Sequence, residues 1–308
     1  MRIRVLGSAA GGGFPQWNCG CPNCRGARAA TIHAKPRTQE CVAVSADGES
    51  WILLNASPEI RPQIESFPPL HPRGARHSPI AGIVLTSGDL DHCLGLFSLR
   101  ESHPLVVYST DAVRRGLAEG NVLYRTLERF EGQVTWRRLE CGSEIELAAI
   151  DGRPSGLSLL AAPAPGKLPI HLEGLEGIVP TPEVNVGLRI RERGNGRTLA
   201  YASSTGALDA AVLGLVEGAD CVFFDGTFWS ERELIELGLG SKQARDMAHL
   251  PIGGEGGSLA RLAGLRASRR IFIHVNNTNP VLREDSAEAA VVREAGWQVA
   301  EDGLEIEL

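Results

Sequence analysis

The run Ile80-Ala81-Gly82-Ile83-Val84-Leu85 leads straight into Thr86-Ser87-Gly88-Asp89-Leu90-Asp91-His92, and the helical pattern Leu94 to Arg100 follows. A short apolar run bounded by turn formers reads as a buried strand. Two carboxylates and an imidazole therefore leave one strand end together. Asp oxygens and a neutral His nitrogen are donors suited to zinc, iron or manganese. The plainer reading is a helix start, in which Asp89 or Asp91 is the N-cap and His92 packs at the first turn.

Working outward, apolar or alternating strands are predicted at Arg2–Leu6, Gln39–Ser45, Trp51–Asn55, Leu105–Tyr108, Gln133–Arg138 and Glu144–Leu147. The second half repeats the plan with Val186–Arg191 and Thr198–Ala202 across Gly194-Asn195-Gly196, then Cys221–Phe224, Arg270–Ile273, Gln298-Val299 and Leu304–Glu307. Helical patterns at Glu59–Phe67, His92–Ser102, Val113–Phe130 (broken near Gly116 to Asn121), Asp209–Glu217, Ser230–Leu237, Ser258–Leu265 and Glu284–Glu294 intervene, which predicts an α+β chain. Asp151 to Pro182, rich in proline and glycine, is expected to be a long surface loop that shapes or covers a site. Three strands end in potential ligands: Asp89, Asp91 and His92; Asp225; and His274. Strand ends at one sheet edge gather residues far apart in sequence, which favours a cation over the cap reading.

Two further stretches carry chemistry. Cys19-Gly20-Cys21-Pro22-Asn23-Cys24 spaces three thiols C-x-C-x-x-C, which lets them converge on one tetrahedral ion. The fourth ligand must come from elsewhere, with His33 nearest in sequence and His249 the distant candidate. Gly7-Ser8-Ala9-Ala10-Gly11-Gly12-Gly13-Phe14-Pro15 matches neither a P-loop nor G-x-G-x-x-G. Its glycines are expected to let backbone pass close to a neighbouring site.

Composition limits the alternatives. A chain of 308 residues, 43% hydrophobic, buries a substantial core. A net charge of −6 without a basic run argues against nucleic acid. No apolar run reaches the roughly 18 residues of a membrane helix, and Met1-Arg2-Ile3-Arg4-Val5-Leu6 opens no signal-peptide core, so a cytoplasmic protein without membrane insertion is expected. Seven cysteines, an odd number, fit thiols and metal ligands better than a disulfide framework. A homodimer is compatible with this composition, which sets no oligomeric state.

The order of strand pairs, Asp91-His92, His274 and Asp302-Gly303 resemble the metallo-β-lactamase superfamily. More closely, the whole chain is similar to the coenzyme PQQ biosynthesis protein B family, on Leu6 to Cys19, Leu54-Asn55-Ala56-Ser57-Pro58, Ile273-His274-Val275-Asn276-Asn277-Thr278-Asn279-Pro280 and Glu284-Asp285-Ser286-Ala287. The resemblance implies a single domain over residues 1–308, a four-layer αββα sandwich with metal at the edge where strand ends meet.

The departures are informative. Where the superfamily's hydrolases carry H-x-H-x-D-H, this chain has Ser87-Gly88-Asp89-Leu90-Asp91-His92. The third histidine of the first metal position aligns near Thr181, and the bridging aspartate within Ala202-Ser203-Ser204-Thr205. What survives is Asp91, His92 and His274, the facial-triad set of non-haem iron(II) oxygenases. The family acts in making pyrroloquinoline quinone (PQQ), and its implied activity is hydroxylation of the tyrosine ring of a cross-linked Glu-Tyr precursor, with O₂ as co-substrate and Fe(II) on Asp91, His92 and His274. Asp89 and Asp225 are expected behind the ligands, orienting one or moving protons, with Asp225 an optional fourth ligand. Gly12, Gly13, Asn276 and Asn277 are expected to contact the substrate. Related phosphodiesterases with a similar thiol motif and a distant histidine imply a structural zinc on Cys19, Cys21, Cys24 and His249. The competing functions are a carrier or exporter of PQQ or its precursor, and a zinc-dependent hydrolase.

Overall fold

The computed structural model describes residues 1–119, 121–174 and 179–308. A first sheet holds, in spatial order, β1 (Arg2–Gly7), β2 (Cys41–Ser45), β3 (Trp51–Leu54), β4 (Ile80–Val84), β5 (Leu105–Ser109) and β6 (Val134–Arg138). A second holds β7 (Glu144–Ala148), β8 (Pro154–Pro163), β9 (Val186–Glu192), β10 (Thr198–Ala202), β11 (Cys221–Asp225), β12 (Arg269–Ile273) and β13 (Gln298–Val299). The last strand, β14 (Glu305–Glu307), crosses back to pair antiparallel with β1. Each sheet begins antiparallel and continues parallel, from β3 onward in the first and from β10 onward in the second.

Period-two alternation builds the layers. Val42, Val44, Ile52 and Leu54 point to the core between the sheets, where they meet Leu199, Tyr201, Phe223, Ile271 and Ile273. Their neighbours Cys41, Ala43, Trp51 and Leu53 face an outer core with Ile60, Leu96 and Val113. On the far side Ala200, Val222, Phe224 and Phe272 pack with Val212, Leu262 and Val292. A strand apolar on both faces must be covered on both, and the three cores between four layers make the αββα sandwich.

The sequence reading departs from the structure most in two places. The region 151–182 contains β8, the longest strand, whose Leu157, Leu159 and Ala161 enter the inter-sheet core. Pro154 and Pro163 stand at its ends, where proline is tolerated, and so marked the limits of a strand rather than a loop. Residues 175–178 of that region, and Gly120 of the predicted helix 113–130, lie outside the described residues. The helix predicted from His92 to Ser102 is two short turns, Leu90–Cys93 and Gly95–Ser98. Gly95 donates its N–H to the Ala56 carbonyl at 2.9 Å, and a Cβ there would stand 2.2 Å from the Ser57 oxygen. This contact brings the turn carrying Asp91 and His92 onto the end of β3.

Candidate metal centre

The ends of β4, β11 and β12 and the loop after β1 enclose a cavity of about 220 Å³. Asp91, His92 and His274 each direct one donor atom into a group whose members lie within 4.8 Å of one another. Asp91 Oδ2 is 3.1 Å from His274 Nε2, and the two rings meet edge to face at 5.2 Å. His92 Nδ1 lies 2.9 Å from the Ser87 hydroxyl and 3.3 Å from that of Thr86, while its buried Nε2 makes no hydrogen bond among the described residues. A buried ring nitrogen without a hydrogen bond is costly. Together with the carboxylate and the second imidazole it fits one cation with oxygen and nitrogen donors.

Several groups tune these donors. The Thr227 hydroxyl donates to Asp225 Oδ1 at 2.6 Å and accepts from His274 Nδ1 at 2.8 Å. That contact selects the tautomer in which Nε2 keeps its lone pair for a metal. Burial pushes the His274 pKa down, but Asp91, Asp225 and Glu40 outweigh it and raise it to about 9. Burial likewise pushes the Asp91 carboxyl up, and His92 with His274 holds it well below the carboxylate range. Asp89 stands at the N-cap position, yet its side chain makes no capping hydrogen bond and accepts from the Ser87 hydroxyl at 3.1 Å. The helix-start reading therefore explains its backbone and leaves its side chain lining the cavity.

His249 corrects the thiol assignment. Its Nδ1 donates to Asp225 Oδ2 at 2.8 Å, and its ring stacks on His274 at 5.4 Å. The buried Asp225 carboxylate is the negative partner that draws it to the cavity wall. Cys19, Cys21 and Cys24 do converge, but among the described residues that group includes no histidine or carboxylate. His33 is exposed on the surface. Asn277, expected at the substrate, instead turns its amide to the three sulfurs, at 3.1, 3.7 and 3.3 Å from those of Cys19, Cys21 and Cys24. Asn276 does line the cavity.

Gly12 and Gly13 are also relocated. Both take positive φ (93° and 68°) and face Gln16 and the Arg37 carbonyl. Gly11 makes the close approach, since a Cβ there would stand 3.2 Å from Asp91 Oδ2. Asp225 spends both oxygens on Thr205, Thr227 and His249, so it orients neighbours instead of offering a free ligand atom.

Sequence reasoning missed Glu40 and Lys167. Glu40 is fully buried, accepts from Asn55 Nδ2 at 2.9 Å and sits 3.4 Å from His92 Nε2. Burial raises its pKa, against the pull of His92 and His274. A glutamate entering the apolar run Cys41-Val42-Ala43-Val44 was the available signal. Lys167, exposed on the segment after β8, brings a cation to the cavity.

Comparison with known proteins identifies the family and the fold. The family model described as beta-lactamase superfamily domain matches residues 50–275. Coenzyme PQQ synthesis protein B of Methylococcus capsulatus is 45% identical and that of Ectopseudomonas mendocina 44%, each over 100% of both chains. The crystal structure of Zn²⁺-bound PqqB from Methylobacterium extorquens superposes over 100% of both chains with a TM-score of 0.91 at 42% identity. A diphosphatase of the PhnP family, 22% identical with a TM-score of 0.66 over 100% of this chain and 97% of its own, shares the fold. With full-length identity at this level and the superfamily sandwich around its strand-end donors, the chain belongs to the coenzyme PQQ synthesis protein B family of the metallo-β-lactamase fold.

Proposed function

We propose that the chain acts in PQQ biosynthesis as a mononuclear non-haem iron(II) oxygenase, hydroxylating the tyrosine ring of a cross-linked Glu-Tyr diamino acid. The donor count carries this reading. A binuclear hydrolase needs two ions about 3.5–4 Å apart. Asp91, His92 and His274 can hold one. The neighbouring group Asp225, His249 and His274 would have to share His274, and its carboxylate oxygens are already taken by hydrogen bonds. The zinc in the relative's crystal structure supports metal binding by this chain. Zinc also follows iron(II) in the affinity order, so it displaces iron readily in isolated protein.

Bound iron(II) supplies the activation of dioxygen. The chain's own residues do the rest. Asp91, His92 and His274 hold the ion, and Thr227 keeps His274 in its ligating tautomer. His249, oriented by Asp225, is the group that takes the phenolic proton. Phe228 and Met247 wall the cavity against water, and Lys167 pairs with a substrate carboxylate at its mouth. One oxygen atom enters the ring, the other leaves as water, and an external two-electron reductant balances the reaction. The test is anaerobic loading with Fe(II), then addition of O₂, ascorbate and the cross-linked Glu-Tyr diamino acid. Oxygen uptake with a product heavier by one oxygen atom is expected. Absence of both overturns the oxygenase reading, and tight binding without turnover would favour a carrier.

A further inference from the structure

We propose that the side-chain oxygen of Asn277 is the fourth donor of the three-thiol site, and that the ion held there braces the turn presenting His274. One terminal atom of the Asn277 amide faces all three sulfurs, at 3.1, 3.3 and 3.7 Å. An NH₂ group has two protons and cannot serve three acceptors with aligned bonds. An apex over three sulfurs is instead the fourth corner of a tetrahedron. With zinc–sulfur and zinc–oxygen distances of about 2.3 and 2.0–2.2 Å, that corner lies roughly 3.5 Å from each sulfur. A half-turn of the carboxamide exchanges its nitrogen and oxygen, which are distinguished only by their partners. The oxygen's lone pair is what a cation requires.

The surroundings fit an ion. Cys21, Cys24 and Asn277 are all buried. The site is also fastened to the active-site turn. Asn23 Nδ2 donates to the carbonyls of Asn277 and Asn279 at 3.2 and 3.0 Å. Asn277 lies three residues after His274, whose φ of 61° is strained for a residue with a Cβ. Val275 between them exchanges backbone hydrogen bonds with Ser8 and Ala10, both at 3.0 Å. Strain of this kind persists only where the surroundings hold it. The thiolate ion, acting through Asn277, supplies that hold from one side, whatever reaction the cavity runs.

The test uses the full chain stripped of metal and titrated with Co(II), then Zn(II), against a chelator. Asn277→Leu removes the donor, and Asn277→Asp keeps an oxygen in its place. For the leucine variant, weakening of the thiolate site by at least about tenfold is expected, with altered thiolate-to-cobalt absorption. The aspartate variant should restore both. Manganese(II) affinity at Asp91, His92 and His274, followed by spin resonance, should fall with leucine and recover with aspartate. Unchanged cobalt absorption and affinity in Asn277→Leu would overturn the ligand assignment. A weakened thiolate site beside unchanged manganese affinity would overturn the brace. If the leucine variant fails to fold, aspartate decides alone: a cobalt spectrum shifted away from three sulfurs and one oxygen refutes the assignment.

Discussion

His274 is held by hydrogen bonds on both ring nitrogens, to Thr227 and Asp91, and its protonation sets how the cavity takes up metal. In the metal-free chain its pKa is raised to about 9, above the unfolded value near 6.5. The ion pair with Asp91 therefore stabilises the fold fully below about pH 6.5, and that contribution is lost as pH rises through about 9. A ligating imidazole must be neutral, so metal binding expels this proton. Affinity of the stripped chain for the cation should rise about tenfold per pH unit up to about 9, measured by chelator competition at pH 7 and 8. A flat profile would contradict the assignment. Lys167 gives a second test: Lys167→Ala should raise KM for a dianionic substrate about fivefold to tenfold while leaving kcat nearly unchanged, consistent with lost ground-state binding. The candidate cation ligands were legible because each ends a buried strand. His249 was not, since only the Asp225 carboxylate, distant in sequence, shows which of two sites it joins.

At the scale of elements, the cavity depends on turns that tolerate no added atoms. Gly95 lies between the carbonyls of Ala56 and Ser57, where a Cβ would stand 2.8 and 2.2 Å away. Gly95→Ala should destabilise the protein by about 1–3 kcal/mol, read as a lower denaturant midpoint. It should also weaken metal binding, because Ala56 follows Asn55, which links Glu40 to Thr86 beside His92. Predicted strand ends were close to observed ones wherever alternation was clean, as in β10 at Thr198–Ala202. The strand β8 was hidden by its terminal prolines. Short helices were overextended because apolar spacing cannot register a close backbone contact such as that at Gly95.

Across the whole molecule, the inter-sheet core joins the two halves of the chain. Tyr201 lies fully buried within it, and its hydroxyl has no hydrogen-bond partner among the described residues. Removing an unpaired buried hydroxyl relieves a desolvation cost, so Tyr201→Phe should be neutral or stabilising by up to about 1–2 kcal/mol, raising the thermal midpoint. Loss of stability would reveal a partner for that oxygen. The layered plan was readable from repeated strand pairs followed by helices, whereas the return of the last strand was not, since three alternating residues carry no address. Arg2, Ile3 and Arg4 of β1 pair with Glu307, Ile306 and Glu305 of β14. During synthesis, β1 must therefore wait for residues 305–307 before its outer edge is covered. Until then its free N–H and C=O groups remain open to other nascent chains, and a ribosome stalled short of residue 305 would release a protein with that edge bare.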